Sequence, residues 1–264
     1  MILNAAILTK HDKARLVAPS LSRLGWLLSE VSNFDTDTLG SFAGEYPRFM
    51  SPVECAMRKA AIAADLSGLN LGIGSEGSFS VGPYGIGTFN LELLSCVNID
   101  AGWVVTGKFY GPTTAQRWTI TQKSELDIVL QSLPAGQKLL LQQQQQIYKG
   151  ISAEHALSQV VTLLKKGSLE LSYDLRAHCC PERQLHIISA ADNLAARLQR
   201  TCPKCQTPGF WPNNANPGLP CEECSTPTTL TLQREACCQR CHYTETYAVE
   251  ATIASRQYCQ VCNP

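Results

Sequence analysis

Four Cys-x-x-Cys pairs crowd the last quarter of this 264-residue chain: Cys202-Pro-Lys-Cys205, Cys221-Glu-Glu-Cys224, Cys238-Gln-Arg-Cys241 and Cys259-Gln-Val-Cys262. Each presents two thiolates to one metal, and two such pairs make a tetrahedral four-cysteine zinc site. The intervals of fifteen, thirteen and seventeen residues between pairs suit zinc-ribbon hairpins. Spacing does not decide the pairing; the sequential one (202/205 with 221/224, 238/241 with 259/262) is expected ahead of a cross-brace. A segment with so few large apolar side chains needs its metal to fold, so two structural zinc ions are expected. Four thiolates close the coordination shell and leave no position for a catalytic water. Eight of the thirteen cysteines lie in these pairs, which is metal spacing and fits a reducing cytoplasm better than a disulfide scaffold. Adjacent Cys179 and Cys180 are poorly placed to share one ion, and Cys237 and His242, beside ligands, receive no role.

The composition changes abruptly at Thr201, dividing the chain into an α/β domain over 1–200 and a double four-cysteine ribbon over 201–264. Net charge is zero, so no overall field steers the chain to nucleic acid or membrane. Within the ribbon, Lys204, Arg234, Arg240 and Arg256 are balanced by Glu222, Glu223, Glu235, Glu245 and Glu250, and each zinc held by four thiolates adds negative charge. A protein partner is therefore expected at least as much as nucleic acid, which needs surplus phosphate contacts. No stretch approaches the roughly 20 apolar residues of a membrane span. The opening Met1–Leu8 lacks a basic n-region and reads as a first strand, not a leader.

Ser51–Ser78 organises the first domain. Ser51 is an N-cap, Pro52 suits the first helical position, and Glu54 completes a Ser-x-x-Glu capping box. Alanines 56, 60, 61, 63 and 64 give a small inner face, Ser67-Gly68 ends the helix, and Leu69–Ile73 reads as a strand with Glu76 just past its carboxyl end. In an open α/β sheet ligands bind at that edge. Ser78–Thr88 reads as a flexible flap beside it.

Glu54, Ala56, Lys59 and Ala60, followed by Ser75-Glu76-Gly77, resemble the Glu-Asn-Ala-x-x-Lys-Ala helix and acidic strand end of the inosine and xanthosine triphosphate pyrophosphatases and their Maf-like relatives, with Cys55 in place of the Asn. The resemblance implies a mixed central sheet flanked by helices, magnesium held by Glu54 and Glu76, and Lys59 facing a triphosphate. Beside it stands the plain reading, in which Glu54 is a capping residue and Lys59 a solvated lysine. The family's phosphate loop is matched by Thr9, while His11 stands for its Asn and Lys13 comes one residue early. Asp35, Asp37 and Glu45 lie in a following loop, where capping turns is the commoner role.

Leu91–Phe109 is expected to be a hairpin turning at Asp100-Ala101-Gly102, with Glu92 and Asp100 near the acidic cluster or on its surface. Ser124–Leu133 and Ser152–Lys166 read as helices, and Lys138–Ile147, with five consecutive glutamines, and Leu169–Leu175 as strands. Arg176-Ala-His178 and Arg183 then mark the turn into a helix ending near Arg200. Two arginines and a histidine at a helix N-terminus can bind an anion; Arg176 and His178 loosely resemble, in reversed order, the pyrophosphatases' Ser-His-Arg substrate turn, although Arg176 is equally placed to pair with Asp174 or Glu182. The whole chain also resembles an uncharacterised bacterial family in which such an α/β domain, with an Arg-Ala-His turn, precedes a Cys-rich tail. Two functions follow as expectations: a magnesium-dependent hydrolase of a nucleotide or related phosphate compound, or a non-catalytic zinc-ribbon adaptor or nucleotide sensor.

Overall fold

The computed structural model describes residues 3–10, 12–39 and 49–264. Two compact units emerge, one of 1–100 with 106–195 and one of 101–105 with 196–264. The smaller unit thus includes five residues from far upstream as well as the expected ribbon.

The larger unit opens with β1 (Leu3–Leu8), α1 (Ala14–Ser22), β2 (Trp26–Val31), α2 (Pro52–Ser67), β3 (Leu71–Val81), β4 (Thr88–Asn98) and β5 (Trp103–Thr113). These strands form one mixed sheet in the order β2-β1-β3-β4-β5. The pairs β1/β2 and β1/β3 are parallel and β3/β4 is antiparallel. The capping box of α2 forms as its sequence requires: Glu54 N donates to Ser51 Oγ at 3.3 Å and Ser51 N to Glu54 Oε2 at 2.9 Å. Gly68 closes the helix in the left-handed conformation, φ 69°.

The alanine face of α2 has its counterpart in β3. Ala56, Ala60, Ala63 and Ala64 are fully buried. A methyl group at Gly72 would run into the Ala60 carbonyl, and one at Gly74 into the Ala56 carbonyl. Helix backbone therefore lies almost on strand backbone, and this close approach sets where Cys55 and Lys59 reach.

The sequence reading ended this strand at Ile73. Instead β3 continues to Val81, because β4 pairs with it residue for residue from Leu71↔Asn98 to Val81↔Thr88. Glu76 accordingly sits inside a strand, and the expected flap shrinks to the hairpin loop 82–87.

A second, antiparallel sheet comprises β6 (Arg117–Ile120), β7 (Leu139–Gln143), β8 (Gln146–Ile151) and β9 (Leu169–Tyr173) in the order β6-β9-β7-β8. It packs with α3 (Lys123–Ser132) and α4 (Ala153–Leu164) around Leu126, Leu139, Leu141, Val160 and Leu171. The glutamine run is not one strand: Gln144, at φ 55°, turns the chain between β7 and β8. Buried Gln143 donates its amide to the carbonyls of Leu163, Gly167 and Ser168, satisfying the end of α4. The last helix, α5 (Pro181–Gln199), carries Arg183 and His186 in its first turns.

The smaller unit holds an antiparallel three-stranded sheet, β10 (Pro212–Pro217), β11 (Thr231–Cys237) and β12 (Thr244–Ala248). No helix among the described residues is long and apolar enough to cross a membrane.

Candidate functional sites

The parallel pairing of β1 with β3 stops at Ile7↔Ile73. Immediately beyond it, five buried charged side chains from five elements gather. Lys13, at the N-terminal end of α1, donates Nζ to Ser75 Oγ at 3.0 Å. Lys59 of α2 pairs with Glu76 of β3 at 2.6 Å, and the Cys55 thiol lies 3.4 Å from the same carboxylate oxygen. Arg183 of α5 grips Glu92 of β4 with Nε at 2.6 Å and Nη2 at 3.5 Å, and gives Nη1 to the Leu175 carbonyl at 2.6 Å. Its guanidinium also lies over the Phe79 ring, 5.6 Å from the centroid. Gly77 has no side chain for a direct reason: a methyl there would strike Arg183 and Glu92.

Lys13, Lys59 and Arg183 are three cations, and Glu76 and Glu92 two anions. The two pairs neutralise themselves; Lys13 is in no ion pair among the described residues. Its position is costly twice over. Only 8% exposed, it has lost most of its hydration. It also sits at the positive end of a helix dipole, where anions are favoured and cations are not. Burial, and next the Arg183 guanidinium, push its pKa from 10.5 down to about 8. An anion placed against Lys13 would offset these penalties by supplying the missing opposite charge.

The residues expected at a site are distributed differently. Lys59, Glu76, Lys13 and Arg183 do come together, and Thr9 is buried just after β1, its N–H donating to Val31. Glu54 is exposed and bound to Ser51, whose hydrogen bonds hold its carboxyl below the usual range; Glu76 is buried against Lys59. These two carboxylates do not fit the expected magnesium site, since one is spent on the helix cap and the other is salt-bridged. Among the described residues the groups of three or more metal-ligating side chains are all cysteines. Arg176 is held by Asp174 at 2.6 Å, the pairing that competed with a substrate role, and half-buried His178 has its pKa lowered by burial. Asp35 accepts from Lys10 at 2.6 Å. His11, Glu45 and the side chain of Asp37 lie outside the described residues.

Sequence reading missed Asn90, Ser75 and His186 and left Glu92 undecided. The signal was present as spacing: Asn90 and Glu92 alternate onto one face of β4, and Arg183 and His186 are one helical turn apart.

In the smaller unit the eight cysteines form two groups, Cys202, Cys205, Cys238 and Cys241, and Cys221, Cys224, Cys259 and Cys262, with sulfurs within 4.8 Å of one another in each. This corrects the sequential expectation: the pairs interleave, first with third and second with fourth. Facing sulfurs are 3.6 Å (202/241), 3.5 Å (205/238), 3.9 Å (221/262) and 3.6 Å (224/259) apart. A tetrahedral zinc thiolate with bonds of about 2.3 Å has edges of about 3.8 Å, so both groups fit zinc.

All four knuckles repeat one turn, in which the residue after the second cysteine donates to the carbonyl of the first: Gln206, Ser225, His242 and Asn263 at 2.9, 3.0, 3.0 and 2.9 Å. In the first three that residue is left-handed, with φ of 60°, 59° and 59°. Hydroxyls of Thr207 and Thr226 lie 3.2 Å from Cys205 and Cys224 and, with backbone N–H groups, lower the pKa of those two thiols, while sharing hydrogen bonds within each group raises that of Cys241 and Cys262. Arg197 and Arg200 lie over the Trp211 ring, 5.0 and 5.4 Å from its centroid.

Residues 59–264 match the family model described as Domain of unknown function (DUF6671). No curated protein and no solved structure matches the chain.

Proposed function

The chain belongs to the DUF6671 family, and we propose that its larger unit binds a phosphate-bearing small molecule, a nucleotide or related compound, and hydrolyses it, while the smaller unit is held by two structural zinc ions. The observation that carries this reading is Lys13: a buried cation at a helix N-terminus, beside two self-neutralised ion pairs and in no ion pair among the described residues. Structural burial alone gives no reason to keep a charge there, since replacing it by an apolar side chain removes a penalty.

In this reading Lys13 supplies the uncompensated charge that a phosphoryl oxygen meets, and the Ser75 hydroxyl orients its ammonium. The Arg183–Glu92 pair holds fixed dipoles on the face of β3 that carries Ser75, and the Lys59–Glu76 pair lies on the other face of that strand. The zinc clusters take no part in the chemistry, because four thiolates leave no open position.

One observation favours a nucleotide sensor without turnover: Glu54 and Glu76 are engaged with Ser51 and Lys59. A panel of nucleotides and inorganic pyrophosphate separates the two. Thermal stabilisation with phosphate release supports the hydrolase, and stabilisation without release supports the sensor. No stabilisation by any phosphate compound, or equal stabilisation of Lys13→Met and wild type, would sink both.

A further inference from the structure

Lys13 and Ser75 come from elements 62 positions apart and meet in the interior. Nζ lies 3.0 Å from Oγ, with the two residues 8% and 3% exposed. Among the described residues each side chain has the other as its hydrogen-bond partner, so the hydroxyl proton is committed to no competing acceptor. The contact can run in either direction. An ammonium only donates and Oγ accepts, whereas a neutral amine offers a lone pair to which the hydroxyl donates over the same distance. The charged groups acting on Lys13 are Arg183 from α5, Glu92 from β4, Lys59 from α2 and Glu76 from β3. Burial and then Arg183 outweigh the two carboxylates, which makes the neutral amine accessible near pH 8.

Strand geometry brings in a third group. Ser75, Gly77 and Phe79 share one face of β3, and successive positions on a face are about 7 Å apart. Arg183 fills the space that a side chain on Gly77 would take and lies over the Phe79 ring. Its guanidinium therefore stands one pleat from the Ser75 hydroxyl, a separation that one phosphoryl group spans.

We infer that Ser75 is a nucleophile and Lys13 its general base, a serine–lysine dyad that takes a phosphoryl group onto Oγ, with Arg183 facing the phosphoryl oxygens. This rests on the phosphate-binding reading above for its substrate and adds a covalent intermediate to it. A bond forms between Oγ and phosphorus as the hydroxyl proton passes to Nζ. The bridging P–O bond breaks with its electron pair on the leaving oxygen, which takes the proton from the new ammonium. Lys13, neutral again, then accepts a proton from a water that attacks the phosphoserine. The P–Oγ bond breaks with its electron pair on Oγ, and Nζ returns the proton there, so dyad and charge are restored.

The test uses the full-length zinc-loaded protein. An uncharged fluorophosphonate ester, which loses fluoride to a serine nucleophile, is expected to label Ser75, as read by peptide mass spectrometry. The rate should rise with pH and level off above about 8, as the amine loses its proton. Lys13→Arg keeps a cation but supplies no base, and should label about 100-fold more slowly. Inorganic pyrophosphate, its binding followed by calorimetry, should protect Ser75 from the probe. With a nucleoside triphosphate that is turned over, Ser75→Ala is expected to lower kcat by about 100-fold or more. In a protein that binds pyrophosphate, an unlabelled Ser75, a rate indifferent to pH, equal labelling of Lys13→Arg, absence of protection or an unchanged kcat in Ser75→Ala overturns the inference alone. No heat with pyrophosphate and no turnover of any nucleotide overturns the anion reading and this inference together.

Discussion

The two units bury polar chemistry by opposite routes. In the smaller one, eight thiols are delivered by four copies of the same tight turn, and each group is arranged so that one metal ion would satisfy it. In the larger one, Lys13, Lys59, Glu76, Glu92 and Arg183 arrive from five elements spread over most of the chain, and one cation is left over. The thiols converge into two closed groups, each fit for one metal ion, whereas the cluster keeps a buried cation in no ion pair among the described residues. One polar core closes on itself and the other leaves a charge over.

Removing the metal should have the largest effect. Structural zinc contributes roughly 10–16 kcal/mol in finger peptides, so a strong chelator is expected to abolish hydrogen-exchange protection in 201–264 while residues 71–98 stay protected. Metal analysis should find two zinc ions per chain in the wild type. Cys238→Ser should lower that count below two, and because the groups interleave, the loss of order should spread to the knuckle at Cys221.

Breaking one buried pair comes next. Arg183→Ala leaves Glu92 buried and uncompensated and is expected to cost about 3–5 kcal/mol in urea denaturation. The double substitution Arg183→Met with Glu92→Leu should recover much of that. Gly74→Ala, which forces α2 off β3, is expected to cost about 1–3 kcal/mol.

Lys13→Met should go the other way, raising stability by about 1–2 kcal/mol while eliminating anion binding. Its pH dependence has a definite sign. The pKa is about 8 folded against 10.5 ordinarily, so the folded chain holds this proton less tightly than the unfolded one. Stability from this group therefore increases as pH climbs from about 8 towards 10.5, and anion affinity falls as pH passes about 8 and the charge is lost. Calorimetric titration across that range checks both. The smallest effect is expected from Ser51→Ala, about 1 kcal/mol from the lost cap, with anion affinity unchanged.

What could be read in advance follows from the same contrast. Knuckle spacing is local, so the ligands of both metal groups were legible, but pairing is a long-range choice and the sequential expectation failed. The α2 cap, its alanine face and the strand after it were legible because each is a neighbour relation along the chain. That Glu76 lies inside a strand was not, because only the register with β4 carries β3 beyond Ile73. Glu92 stayed undecided between cluster and surface and His186 went unnoticed for the same reason: their burial and partners depend on α5 crossing β4.

The interleaving of the two cysteine groups bears on how the chain is made. Cys202 must wait for Cys241, 39 positions later, and Cys221 for Cys262, 41 positions later. On a ribosome adding residues in order, the first two knuckles emerge with no permanent mate, and each can only hold metal provisionally. Zinc taken up early by 202/205 with 221/224 would be a kinetic trap of the sequential kind, to be undone by thiolate exchange once the third knuckle appears. Each group is thus completed only by the later of its two knuckles, at Cys241 and at Cys262.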